Sequence, residues 1–74
     1  MNMDAARELL AGALQKKPQE ISEEASIENE ESWDSLAHTR LLLAIEARLG
    51  RELSSDEVTE VDSLRAVAKL LGAA

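Results

Sequence analysis

The sequence predicts an all-α fold, a small four-helix bundle that forms a single domain over residues 1–74. The chain has room for one domain only, and it contains one Trp but no Phe, Tyr or Cys. Its core must therefore be built from Leu, Ile, Val and Ala without a disulfide, which favours packed helices at this length. Apolar side chains also recur at three- and four-residue spacing, the period of a helix face.

The first helix is predicted over residues 3–17, because an apolar stripe follows the helical period there. Its members are Ala6, Leu9, Leu10, Ala13 and Leu14. Asn2 or Asp4 can cap its start. Pro18 is expected to end the helix, since proline cannot continue it.

A long loop is predicted over residues 19–34, where the helical period disappears and every charged side chain is acidic. A solvated loop is one interpretation. Four apolar residues nevertheless interrupt the acidic run, and they are Ile21, Ala25, Ile27 and Trp33. We expect these four to anchor the loop across the core, and ordered loops of this length in small domains are often functional.

The second helix is predicted over residues 35–49, and its apolar side chains form two flanks. The first flank comprises Leu41, Leu42, Ile45 and Leu49, and the second comprises Leu36, Leu43 and Ala47. A helix that is apolar on two sides packs between neighbours, so we expect this helix to be the central one. Gly50 is expected to end it as a C-terminal cap.

A short third helix is predicted between residues 51 and 62, capped by Ser54 or Ser55, with Val58 and Val61 on its apolar side. The last helix is predicted over residues 63–71. It carries a regular apolar stripe formed by Leu64, Val67, Ala68 and Leu71. Gly72 is expected to end this helix.

Charge and composition exclude several classes of function. Fifteen acidic and eight basic residues give a net charge of −7, which disfavours nucleic acids and anionic membranes as partners and favours a basic protein surface. A single His and no Cys leave no tetrahedral zinc site. The longest apolar run, residues 41–45, is too short to span a bilayer, and the start of the chain lacks the features of a signal peptide. We therefore expect a cytoplasmic monomer without a metal.

Ser35 and His38 place a hydroxyl and an imidazole three residues apart, the raw material for nucleophilic catalysis. Catalysis also needs an orienting group, an oxyanion hole and a pocket, for which a short aliphatic bundle has little room, so we expect no catalytic residue. Ser35 is better suited to bear a phosphate ester, because it opens the longest helix at the positive end of the helix dipole. The alternative is that Asp34 or Ser35 simply caps the helix.

Two segments around this serine carry a family pattern: residues 31–36, ESWDSL, and residues 41–50, LLLAIEARLG. Further segments extend it, namely residues 17–21, KPQEI, residues 25–27, ASI, and residues 52–57, ELSSDE, followed by Val61. Together they resemble the acyl carrier proteins over almost the whole chain. The resemblance implies that family's small helical bundle, with a long loop between helices 1 and 2 and a short third helix.

This resemblance implies that Ser35 bears a covalent 4′-phosphopantetheine arm derived from coenzyme A. A phosphopantetheinyl transferase would supply Mg²⁺ and the base while the Ser35 hydroxyl attacks the pyrophosphate of coenzyme A. Asp34 would help dock at that Mg²⁺ site, and Leu36 would fill an apolar contact on the enzyme. The arm ends in a thiol that carries acyl groups as thioesters, in agreement with the absence of Cys, and the carrier itself catalyses nothing.

The tripeptide Asp-Ser-Leu occurs twice, at residues 34–36 and at residues 62–64. The second copy opens the last helix, where the acyl carrier proteins have no attachment site. Ser63 is therefore interpreted as an ordinary helix cap, and Ser35 remains the predicted attachment site.

Departures from the common pattern bear on the choice of partner. Many fatty-acid carriers have acidic residues just after the motif and on the outer face of the helix, where this chain has Ala37 and Arg40. Because Arg40 repels a basic enzyme patch, we expect poor service to a general fatty-acid synthase and a dedicated partner of different charge. The predicted partner surface consists of Trp33, Ala37, His38, Arg40 and Val58.

Two residues of that surface allow a second interpretation. Trp33, as the lone aromatic residue, is either a core anchor or a contact for the arm or for an enzyme beside Ser35. His38 is either a solvated residue of the first helical turn or a contact for the partner.

These features predict an acyl carrier protein that delivers acyl or aminoacyl groups within a specialised fatty-acid, polyketide or related pathway. Its expected partners are a phosphopantetheinyl transferase and a ligase or synthase that loads the acyl or aminoacyl group. The alternative is an unmodified acidic helical module that binds a basic protein through its loop. The intact mass after treatment with a transferase distinguishes the two.

Overall fold

The computed structural model describes residues 3–73, and in that part of the chain the regular structure is helical. The helices are α1 (Met3–Leu14), α2 (Ser35–Leu49), α3 (Ser55–Glu60) and α4 (Leu64–Ala73), with one 3₁₀ turn at Pro18–Glu20. The predicted all-α class is confirmed, and α2 begins and ends at the predicted residues. Asn2, one of the two predicted caps of α1, lies outside the described residues.

The end of α1 differs from the prediction. The helix ends at Leu14 because Gln15 adopts a left-handed conformation with φ of 59°. The Lys16 amide donates to the Ala11 carbonyl at 2.9 Å and the Gln15 amide donates to the Gly12 carbonyl at 3.3 Å. This pair of bonds is the Schellman closure, which satisfies carbonyls at the end of a helix. Pro18 therefore begins the 3₁₀ turn and does not end α1.

The centre of the bundle is α1, which packs against both α2 and α4. The largest fully buried side chains come from α1, α2 and α4 and from the residue that follows α3. They are Leu10, Leu41, Ile45, Leu64, Val61 and Val67. The prediction that α2 is central is wrong. Its first flank packs on the core, but on its second flank Leu36 is 63% exposed, Leu43 is 61% exposed and Ala47 is exposed.

The loop between α1 and α2 crosses the core as predicted, although with three anchors instead of four. Ile21, Ala25 and Trp33 are buried, whereas Ile27 is 43% exposed, so its predicted anchoring role is wrong. The Ile27 amide donates to the Asp62 carbonyl at 2.9 Å, which fixes the backbone at this point without burying the side chain. The loop is therefore held partly by main-chain bonds that its apolar pattern does not reveal.

Two ion pairs connect the acidic loop to basic residues elsewhere. Lys16 Nζ lies 2.8 Å from Glu30 Oε1, and Arg65 lies 2.8 Å from the carboxylate of Glu24. The hydrogen bond from Lys16, with a second from Ser32, holds the pKa of Glu30 below its usual value. Part of the loop's negative charge is thus compensated within the molecule.

The caps of the last two helices are made by serine side chains. Of the two predicted caps of α3, the structure selects Ser54, whose Oγ accepts the amide of Glu57. At the start of α4, Ser63 Oγ accepts the amide of Ala66 at 3.1 Å. Gly72 lies within α4, which runs on to Ala73, so the prediction that this glycine ends the helix is wrong.

Arg51 and Glu57 fix the turn before α3. The Arg51 guanidinium donates to both carboxylate oxygens of Glu57, at 2.9 and 2.8 Å. The Ser54 amide donates to the same carboxylate at 2.8 Å. These bonds, led by that of Arg51, lower the pKa of Glu57 to about 2.

Stability is expected to depend on pH through Glu57. Its pKa falls from 4.5 to about 2 on folding, so the ionised carboxylate stabilises the fold above pH 4.5, and this contribution is lost as the pH falls towards 2. Glu57→Gln is therefore expected to lower the urea midpoint at neutral pH and to approach the wild-type midpoint in strong acid. Glu60→Gln, an exposed site on the same helix, is the control. A deficit that stays constant across this pH range would contradict the assignment.

Candidate functional site

The start of α2 is capped by Asp34 and not by Ser35. Asp34 Oδ1 accepts the Ala37 amide at 2.8 Å, and the Asp34 carbonyl accepts the His38 amide at 2.9 Å. Asp34 has the extended backbone of an N-cap residue, with φ of −95° and ψ of −174°. Of the two capping alternatives, the structure therefore selects Asp34, and Ser35 becomes the first residue of the helix.

Ser35 differs from the serines that cap α3 and α4. The hydroxyls of Ser54 and Ser63 each accept a backbone amide, at 3.2 and 3.1 Å. Ser35 is exposed, and its contact with the rest of α2 is through its carbonyl, which accepts the Thr39 hydroxyl at 3.1 Å. Its own hydroxyl has no part in the cap, so it is available to react with a group from solution.

Trp33 lies in the core immediately before the cap. It is 4% exposed, and its indole Nε1–H donates to His38 Nδ1 at 3.0 Å, with the ring centroids 6.2 Å apart. Of the two interpretations of Trp33, the core anchor is correct, and the prediction that it contacts a partner is wrong. His38 is half-buried and accepts the Trp33 indole, so it is more than a solvated residue of the first helical turn, and its contact with a partner stays a prediction.

Ala37 and Arg40 contact the scaffold. Ala37 is fully buried, so the prediction that it contacts a partner is wrong. Arg40 is half-buried, and its Nε–H donates to the Ala13 carbonyl at 3.1 Å. That carbonyl belongs to the last turn of α1, where carbonyls lack helical partners and a positive charge is favoured. The structure therefore gives Arg40 a role in the fold that the sequence did not reveal.

Val58, the fifth residue of the predicted partner surface, is half-buried on α3. Two other apolar residues are much more accessible. Leu36 and Leu43, seven positions apart on α2, are the most exposed large apolar side chains in the described residues. Two helical turns separate them, so they lie on one face of α2, and Ser35 is next to Leu36 in the chain. The prediction for Val58 stays a prediction.

The comparison with known families agrees with this arrangement. The PP-binding model, described as a phosphopantetheine attachment site, matches residues 4–71, nearly the whole chain. The chain belongs to this family. Its members attach 4′-phosphopantetheine covalently to a serine, so the protein is a phosphopantetheine carrier. Domains of this family are generally carriers and not catalysts. A comparison with curated proteins gave no match.

The start of α2 in this carrier fits a phosphodiester. Asp34 accepts hydrogen bonds from the amides of Ala37 and His38. The amides of Ser35 and Leu36 lie before these in the first helical turn, where amides have no partner within the helix. The helix dipole favours an anion at the same place. Asp34, Ser35 and Leu36 are all exposed, so an arm joined to the serine has room to extend into solvent.

Two other properties of the carrier follow from residues 3–73. None of the helices there is long and apolar enough to cross a membrane. No group of three His, Asp or Glu side chains in the same part of the chain is arranged to hold a metal ion.

Replacing the cap is expected to weaken the start of α2. Asp34→Ala removes the acceptor of the Ala37 amide and is expected to lower the free energy of unfolding by about 1 kcal/mol. Asp34→Asn keeps a capping oxygen and is expected to cost less. Urea denaturation of the two variants measures the difference. Equal losses in both would show that the charge of Asp34, and not its capping bond, stabilises the helix.

Proposed function

We propose that this protein carries acyl or aminoacyl groups as thioesters on a 4′-phosphopantetheine arm attached to Ser35. It delivers them to the enzymes of a specialised fatty-acid, polyketide or related pathway. The observation that supports this choice of residue is that Ser35 is exposed and that Asp34, not Ser35, caps α2. The Ser35 hydroxyl is therefore not engaged in capping. In the second copy of the tripeptide, the Ser63 hydroxyl instead accepts a hydrogen bond from the Ala66 amide.

Attachment forms one bond and breaks another. Ser35 Oγ bonds to the phosphorus of coenzyme A that bears the pantetheine, and the bond from that phosphorus to the bridging oxygen of the pyrophosphate breaks. Adenosine 3′,5′-bisphosphate leaves, and the serine proton passes to the base of the transferase. When bound, the arm supplies a thiol, which the chain itself lacks because it has no Cys.

Asp34 serves this reaction in two ways. Its Oδ1 holds the first turn of α2, through the bond to the Ala37 amide. A carboxylate accepts about four hydrogen bonds or metal contacts, so capping leaves lone pairs for the Mg²⁺ of the transferase. Leu36, 63% exposed, lies next to the serine and offers an apolar contact to the enzyme.

The partner surface is apolar on α2 and acidic on the loop. Leu36 and Leu43 form the apolar part. Arg40 is bound to the Ala13 carbonyl and contributes positive charge where many fatty-acid carriers have a carboxylate. A partner with a strongly basic patch opposite α2 would be repelled there. The complementary enzyme therefore has an apolar docking face for α2, and it is a dedicated partner.

The attachment site is tested by intact mass after incubation with coenzyme A and a phosphopantetheinyl transferase. The wild-type protein and Ser63→Ala are expected to gain one 4′-phosphopantetheinyl group, and Ser35→Ala is expected to gain none. Because Ser63 caps α4, Ser63→Thr, which keeps the hydroxyl, is the matched control for folding.

Other outcomes lead to different conclusions. Loss of the modification in Ser63→Ala alone, with folding intact, would place the arm at the second tripeptide. Failure of the folded wild-type protein to gain mass with several transferases would favour the unmodified interaction module.

The apolar face predicts the effect of truncating Leu43. Burial of a leucine side chain contributes about 1.5–3 kcal/mol, so Leu43→Ala is expected to raise the KM of an enzyme that docks there about tenfold. Arg48→Ala, another exposed site on α2, is the control and is expected to change KM less. Transferase kinetics at low and high salt measure both. If KM rises steeply with salt and is the same for the wild-type protein and Leu43→Ala, then charges, and not Leu43, dominate docking.

A further inference from the structure

Trp33 and His38 lie on either side of the attachment residue in the chain and are joined by a hydrogen bond. Trp33 belongs to the loop that leads into α2, and His38 belongs to the first turns of α2. The indole Nε1–H donates to His38 Nδ1 at 3.0 Å. Any movement of the loop relative to α2 at this point must therefore break or bend that bond.

The bond satisfies a donor that burial would otherwise leave without a partner. Trp33 is 4% exposed, and a buried N–H without an acceptor is unfavourable. An imidazole nitrogen accepts a hydrogen bond only when it carries no proton, and His38 Nδ1 is the acceptor here. An apolar residue in place of His38 could fill the same space but could not orient the indole. The hydrogen bond therefore fixes the orientation of the indole, in addition to the free energy that its burial contributes.

The loop is attached to the start of α2 at two points. Asp34 Oδ1 accepts the Ala37 amide at 2.8 Å, and the Trp33 indole donates to His38. The side chain of Trp33 is also held in the core, and its amide donates to the Glu30 carbonyl at 3.0 Å. Ser35 lies in the chain between the two attachment points, so its backbone is constrained on both sides.

We propose that the Trp33–His38 hydrogen bond positions Asp34 and Ser35 for the transferase, and that His38 is a positioning residue for attachment of the arm. This role rests on the proposed attachment at Ser35. With the bond intact, the serine is presented in one geometry. Without it, the Asp34 cap is the one side-chain hydrogen bond among the described residues between this end of the loop and α2, and the Ser35 hydroxyl samples orientations in which it cannot attack.

The test measures kcat and KM of a phosphopantetheinyl transferase with the full chain as substrate. His38→Leu, which removes the acceptor, is expected to lower kcat/KM about tenfold, mainly through kcat, because small misplacements of a reacting group slow the reaction. His38→Asn places an acceptor near the position of Nδ1 and is expected to retain kcat within about threefold. Trp33→Phe removes the donor and is expected to match His38→Leu. The double variant is expected to add little, since both single variants break the same bond.

A matched control separates positioning from stability. Leu42→Ala truncates a half-buried residue of α2 that packs on the core, so it is expected to destabilise the protein while both partners of the Trp33–His38 bond remain. It should lower the melting temperature but leave kcat unchanged where the protein is folded. Fluorescence of Trp33, the only tryptophan, is expected to change in His38→Leu and to return towards the wild-type spectrum in His38→Asn.

Three results would overturn this role for His38. If His38→Leu is modified at the wild-type kcat while its melting temperature falls, the pair is purely structural, although attachment at Ser35 stands. If kcat falls equally in Leu42→Ala, the effect is one of general stability. If the wild-type protein gains no arm, the proposed function fails and the positioning role fails with it, whatever the fluorescence shows.

Discussion

The hydrogen bond from the Ala37 amide to Asp34 Oδ1 is the interaction on which the site depends. A helix leaves its first amides without internal partners, and a side chain must supply the acceptor when the helix begins against a packed loop. Because Asp34 does so, the next residue enters α2 with its hydroxyl uncommitted. Had Ser35 been the cap, that hydroxyl would be engaged with its own backbone, as those of Ser54 and Ser63 are. One carboxylate thus fixes the beginning of the helix and leaves the following side chain available for chemistry.

The position of α1 at the centre of the bundle gives α2 its exposed face. Small side chains of α1, among them Ala6, Ala11 and Ala13, are buried where it meets its neighbours. α2 lies to one side of α1 and buries a single face, through Ala37, Leu41 and Ile45. Its opposite face remains in solvent, apolar but unpartnered within the bundle. The central position of α1 therefore determines both how the helices pack and which face of α2 is exposed for docking.

Much of the fold could be predicted from the sequence because apolar period and capping residues are local signals. These signals located α2, the cap of α3 and the buried stripe of α4. They failed where the deciding contact is distant in the chain or rests on an unusual backbone. Gln15 ends α1 in a conformation that glutamine seldom adopts, and the exposure of Leu43 depends on which helix is central. At the site, the tripeptide alone offers two serines, and the prediction of Ser35 rests on the family resemblance. The pairing of Trp33 with His38 spans the loop and the helix, so no periodicity could indicate it.

The contact between Arg40 and the Ala13 carbonyl also constrains how such a chain can evolve. A carboxylate at position 40 would bring the surface closer to that of an ordinary fatty-acid carrier. It would also place a negative charge against the negative end of α1 and leave a carbonyl there without its donor. A change of partner at this position is thus tied to a loss of stability. The charge that residue 40 presents to partner enzymes and the stability of the end of α1 therefore change together. A lineage could acquire different partner enzymes at this position only after another residue had replaced the contact at the end of α1.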